Sequence, residues 1–222
     1  FIPSWDTFLE AQWKKASEKW PNVILTIYPH SFDYNEDGNP YLSITEDRLS
    51  FRPVIDSGEY LYEAKYKPYE GDEYGEHVYW FAAGFAFGRS DIFMRVPYDR
   101  FIAYTGEELA MAVRFHCAGA TLVAPPRYSL FHYYGREDQP KVWDNDPLWD
   151  QIQSASKDRL YKLFDGDPLE GYGVLDLKKL QEYKKIAKVK YDADTDTFIF
   201  PRKRTTTTTK PAKKAVIKKA GK

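Results

Sequence analysis

Cysteine is almost absent from this chain. Its 222 residues include a single one, Cys117, so no internal disulfide can form. A fold without such staples suits a reducing compartment, and a cytoplasmic location is expected. Long apolar runs are missing as well. Nowhere do about 18 apolar residues follow one another, so no helical membrane span is expected. No secretory leader is visible, but the chain opens on Phe1 rather than Met. An upstream segment is therefore expected, and the missing leader carries no weight. Net charge is close to nil at −1, yet it is unevenly spread. Residues 201–222 hold nine Lys or Arg and no acid, which leaves the remainder with 23 basic and 33 acidic residues. An acidic body excludes a specific nucleic-acid surface. The basic tail has no interleaved aromatic residues, so any such binding there would be non-specific.

Aromatic residues are plentiful, at 17% of the chain with 18 Tyr among them. Tyr and Trp join an apolar face to a polar handle, which suits sugar clefts and interfaces as well as an ordinary Tyr-rich core. Composition leaves both open.

Trp5, Phe8, Leu9, Trp13, Ala16 and Trp20 recur at helical spacing until Pro21 stops the run. Val23 to Tyr28 reads as a buried strand. Residues 29–50 read as loop around the turn Asp37-Gly38-Asn39-Pro40. Leu49 to Tyr66 reads as one or two strands, Glu70 to Glu76 as an acidic turn, and His77 to Phe87 as a long strand interrupted by Gly84. Gly106 to Ala118 reads as a helix closed by Gly119. Short strands follow at Thr121 to Ala124 and Tyr128 to Tyr134, then helices at Asp150 to Leu163 and Asp176 to Ala187. Strands alternating with helices predict an α/β fold with a mixed sheet flanked by helices. The domain is expected to span residues 1–200. Residues 201–222 have little to bury and are expected to be a disordered tail that can be deleted without loss of stability.

The chemistry concentrates between Phe81 and Arg136. Gly84 within an apolar segment marks either strand packing or a place where a ligand approaches the backbone. Glu107 and Glu108 open a helix. Adjacent carboxylates there can bind sugar hydroxyls, orient an acceptor or act as a base. Thr105-x-x-Glu108 is also a capping box, and acids suit the first helical turn. His132 can complete a divalent-metal site or sit hydrogen-bonded among aromatic rings. Arg127 and Arg136 can grip a diphosphate or simply lie on an acidic surface.

The order of the motifs is more specific than any one of them. Ala83-Gly84-Phe85, Val96-Pro97-Tyr98-Asp99, Gly106-Glu107-Glu108, Pro125-Pro126, His132-Tyr133-Tyr134-Gly135-Arg136 and Lys141-Val142-Trp143 follow in series. Trp5-Asp6, Leu25-Thr26-x-Tyr28-Pro29, Tyr172-Gly173 and Leu180-x-x-Tyr183 extend it. Over roughly residues 1–190 the chain resembles the GlcNAc-transferase family of GT-A-type glycosyltransferases. Members of that family include a cytoplasmic enzyme acting on a hydroxyproline of a ubiquitin-ligase adaptor. The resemblance implies a retaining transfer of GlcNAc from UDP-GlcNAc to a hydroxyl, on a protein or glycan acceptor, with a divalent cation, Mn²⁺ or Mg²⁺. It implies a catalytic role for Glu107 and Glu108 and metal ligation by His132. It implies substrate binding by Gly84, Phe85, Tyr134 and Arg136. The family's Asp-containing metal motif and its upstream nucleotide-binding half have no counterpart here. The chain thus resembles the acceptor-side, C-terminal half of a catalytic domain, and a non-catalytic glycan- or protein-binding module is the alternative.

Overall fold

The structure is a computed structural model. It describes residues 1–42, 48–56, 59–67, 69–104, 106–135, 139–186, 190–192 and 197–199. The basic tail, Thr105 and Arg136 lie outside the described residues.

Helix α1 (Trp5–Ser17) leads through a turn into β1 (Val23–Thr26). Then come β2 (His30–Tyr34), β3 (Pro40–Leu42), β4 (Arg48–Asp56), β5 (Glu59–Lys67), β6 (Glu76–Val78) and β7 (Ala86–Gly88). Helices α2 (Ser90–Arg95) and α3 (Glu107–Cys117) precede β8 (Thr121–Ala124) and β9 (Phe131–His132). The chain continues through α4 (Val142–Asn145), α5 (Trp149–Asp165), a 3₁₀ turn at Leu169–Gly171 and α6 (Leu177–Ile186), then β10 (Lys190–Asp192) and β11 (Thr197–Ile199).

The central sheet has the order β6-β8-β1-β7. Strands β1 and β8 run parallel, with Ile24 opposite Leu122, and the two edge strands are antiparallel to them. All four residues of β1 and all four of β8 are buried. Such continuous apolar runs mark strands covered on both faces. A second sheet, β3-β2-β9, pairs β2 with β9 in parallel. The fold is therefore α/β, with mixed sheets flanked by helices.

Helix α3 lies in the core. Leu109 to Phe115 and Cys117 are all buried, so the helix is apolar nearly all round, as an internal helix must be. Glycines fix both its ends. Gly106 sits at φ 87°, where a Cβ would come within 2.9 Å of Leu160. Gly119, at φ 78°, lets the chain turn sharply into β8. The Tyr183 ring of α6 is fully buried, and its hydroxyl donates to the Tyr79 carbonyl at 2.8 Å.

Three expectations are corrected. Residues 29–50 are not one loop: His30–Tyr34 and Pro40–Leu42 form a hairpin around Gly38. The stretch His77 to Phe87 is not one strand. Its ends join opposite edges of the central sheet, as β6 and β7, and the chain turns between them at residues 82–85. The cause is Thr26, whose buried Oγ1 accepts from the Ala82 N–H at 2.9 Å and donates to the Phe85 carbonyl at 3.1 Å. The strand expected over Tyr128 to Tyr134 shrinks to Phe131–His132, the part of that stretch that pairs with β2.

Candidate active site

Strands β1 and β8 point the same way, so the segments that follow them leave the sheet at a shared carboxyl end. In open α/β sheets ligands bind at this end. The segment after β1 supplies Tyr28 and Pro29. The 82–85 turn lies against it, and a Cβ added at Gly84 would meet Pro29 at 3.5 Å. The N-terminus of α3 brings Glu107 and Glu108.

Glu108 ties these pieces together. One carboxylate oxygen accepts the Ala83 N–H at 2.8 Å, and the other accepts the Tyr28 hydroxyl in a short hydrogen bond. It therefore does not cap its own helix. Gly106 occupies the cap position, and among the described residues no side chain caps the first turn. A side chain drawn across to another element cannot also reach back along its own helix. Burial pushes the Glu108 carboxyl above the usual range, and its two hydrogen bonds pull it partly back. Burial, and then the adjacent carboxylate, drive the Tyr28 phenol far up, so it stays a donor.

Glu107 is different. It is half-buried, and among the described residues it has no hydrogen bond or ion pair. Burial raises its pKa, and the neighbouring Glu108 charge raises it further. Tyr98 completes the cluster. Its phenol is pushed up by burial, then by the charges of Glu107 and Glu108. A carboxylate unpaired among the described residues, a phenol and a braced carboxylate thus gather at the carboxyl end of the sheet.

The other expected residues divide. Gly84 is exposed in the 82–85 turn, and a Cβ there would meet nothing closer than 3.5 Å, so packing within the chain does not require a glycine. Phe85 turns its ring into the core and offers the site only backbone. Tyr134 is half-exposed, and its hydroxyl donates to the Pro29 carbonyl at 3.1 Å. Its ring lies 4.3 Å from that of His132. Arg127 is exposed, away from these groups, and its backbone N–H bonds to Gln12. The Asp99 of the Val-Pro-Tyr-Asp motif is structural: it pairs with Arg159 at 2.5 Å and is 3% exposed. Sequence reasoning did not single out Tyr28 or Tyr98 as site residues. The signal was available only as their places in the Leu-Thr-x-Tyr-Pro and Val-Pro-Tyr-Asp motifs.

The implied divalent cation does not fit these residues as a self-contained centre. Among the described residues no three His, Cys, Asp or Glu side chains gather, and both Glu108 oxygens are already engaged. Metal ligation by His132 needs ligands from beyond the described residues.

Two acids and two phenols brought together at the carboxyl end of the sheet suit an enzyme that handles hydroxyl-rich substrates. The family model described as Glycosyltransferase (GlcNAc) matches residues 1–208. By class the protein is thus a glycosyltransferase. The chain belongs to the GlcNAc glycosyltransferase family. No curated protein and no solved structure matches it. Among the described residues no helix is long and apolar enough to cross a membrane.

Proposed function

We propose that this site transfers GlcNAc from UDP-GlcNAc to a hydroxyl of a protein or glycan acceptor, in a GT-A-type arrangement. The observation that carries the proposal is the division of labour between the two acids. Glu108 spends both oxygens holding Tyr28 and the Ala83 backbone, so it shapes the cleft. Glu107 keeps its carboxylate for a ligand.

A half-buried carboxylate with no partner among the described residues is a strong acceptor for a hydroxyl. Glu107 accepts the hydrogen bond of the reacting hydroxyl or of a donor-sugar hydroxyl and so fixes its orientation. The acceptor oxygen bonds to the anomeric carbon of GlcNAc as the bond to the diphosphate breaks; the electron pair leaves with UDP, and the hydroxyl proton passes to the departing diphosphate oxygen. Correct placement matters because a misplacement of about 1 Å costs on the order of 100-fold in rate. Tyr98 lies beside the two acids, and its raised pKa keeps the phenol protonated as a second donor to a sugar oxygen. The exposed turn at Gly84 lets the ligand approach the backbone.

The test is direct. The purified protein is incubated with UDP-GlcNAc and hydroxyl-bearing peptide and glycan acceptors, and products are read by mass spectrometry. The proposal expects acceptors heavier by one N-acetylhexosamine unit, with UDP released in equal amount. Tight sugar binding with no release of UDP, in the presence of Mn²⁺ or Mg²⁺, would favour a binding module instead.

A further inference from the structure

A cleft of about 560 Å³ opens beside α5 and is lined by Tyr104, Trp143, Trp149, Asp150, Gln153, Ser154 and Lys157. Its size falls within the usual range for small-ligand sites. The three rings form a closed set. Tyr104 lies 5.1 Å from Trp143 and 5.9 Å from Trp149, and the two tryptophans are 6.1 Å apart. These rings are not core: Tyr104 is 59% exposed and Trp143 39% exposed.

The backbone is arranged to present Tyr104. This residue sits at φ 62°, a left-handed conformation that a bulky side chain rarely adopts. Such strain persists only where the surroundings enforce it. Here α5 does so from both sides of Ala103. The Ala103 N–H donates to Ser156 Oγ at 3.0 Å, and its carbonyl accepts from Gln153 Nε2 at 2.8 Å. Gln153 Oε1, in turn, is buried with no hydrogen-bond partner among the described residues. The cleft is thus an aromatic platform in a fixed position. It is edged by a carboxylate, a hydroxyl and an ammonium, from Asp150, Ser154 and Lys157.

We propose that this cleft binds a pyranose ring and holds the sugar of an acceptor glycan beside the transfer site. The proposal rests on the transferase reading given above. A pyranose presents apolar C–H faces, which stack on Tyr and Trp, and equatorial hydroxyls, which bond to side chains at the rim of such a platform. Asp150 and Ser154 lie at that rim and are exposed. A proline-rich peptide also stacks on rings, but prolyl residues have no N–H to give these acceptors. The location fits an acceptor. Tyr104 precedes Glu107 by three residues, at most about 11 Å of chain.

The test titrates the purified protein with N,N′-diacetylchitobiose in the absence of nucleotide, following tryptophan fluorescence and saturation-transfer NMR. Saturable binding is expected, with ring C–H protons receiving the strongest transfer. Trp143→Ala and Tyr104→Gly each weaken it about tenfold, or about 1.4 kcal/mol. Tyr104→Phe keeps it. Tyr104→Gly also leaves the thermal midpoint unchanged or raised, because glycine relieves the left-handed strain. A purely structural role for the ring predicts a lowered midpoint instead. Absence of saturable binding overturns the proposal. So does binding that both variants leave intact, or an oligoproline peptide that binds where the disaccharide does not. Disaccharide binding without any GlcNAc transfer would uphold the cleft and refute the transferase reading. Transfer without disaccharide binding would do the reverse.

Discussion

Replacing Tyr28 with Phe removes one oxygen and leaves the ring where it packs, 6.1 Å from Trp80. What is lost is the donor that braces Glu108. A hydrogen bond to a charged group contributes about 1.5–3 kcal/mol, and one between neutral groups about 0.5–1.5 kcal/mol. The cost therefore depends on whether Glu108 is ionised. Its folded pKa is raised above the ordinary carboxylate value by burial, and the Tyr28 bond is one of two groups that hold it down. Without that bond the folded pKa rises further. Glu108 then contributes stability at low pH that is lost as pH rises through its folded pKa, and the loss is larger in the variant. Below the unfolded carboxylate pKa both proteins have a neutral Glu108, and they should differ by only about 0.5–1.5 kcal/mol. Near pH 8 the gap should widen to about 1.5–3 kcal/mol. Urea unfolding of both proteins at the two pH values measures it. A gap that stays constant with pH, or that is absent, would refute the brace.

Other perturbations have equally definite signs. Glu107→Gln removes an unpaired half-buried charge whose raised pKa erodes stability as pH rises. The variant should therefore match wild type at low pH and be the more stable one near pH 7, by up to about 1 kcal/mol, in thermal scans across pH. Gly106→Ala forces a side chain into φ 87° and against Leu160, and chemical denaturation should show a loss of about 1–3 kcal/mol. Asp99→Ala strands the Arg159 guanidinium beside a buried site and should cost about 3–5 kcal/mol in the same assay.

The parts of this fold that were legible in the sequence are those set by local punctuation. Helix α3 and strand β8 fall where Gly106 and Gly119 bracket an apolar run, and β1 stands out because all its residues face the core. The failures share one cause, a partner distant in sequence. The turn at 82–85 is made by Thr26, 56 residues away, so the apolar run His77 to Phe87 looks like a single strand until that hydroxyl is placed. Strand β2 is polar and short and exists through pairing with β3 and β9. In the site, the acidic pair was visible but its division of labour was not. A capping box is the local solution for Glu108, and it yields to Tyr28 and Ala83, which lie 80 and 25 residues away. Tyr98 escaped notice because it lies in a loop whose path is set by the buried Asp99–Arg159 pair.

The central claim is that Glu107 touches the substrate while Glu108 only shapes the cleft. Turnover of UDP-GlcNAc by Glu107→Gln, measured beside its thermal midpoint, tests it most directly. The account predicts a kcat/KM about 100-fold lower, with a midpoint equal to or above that of wild type. Wild-type turnover in a folded Glu107→Gln protein would contradict it.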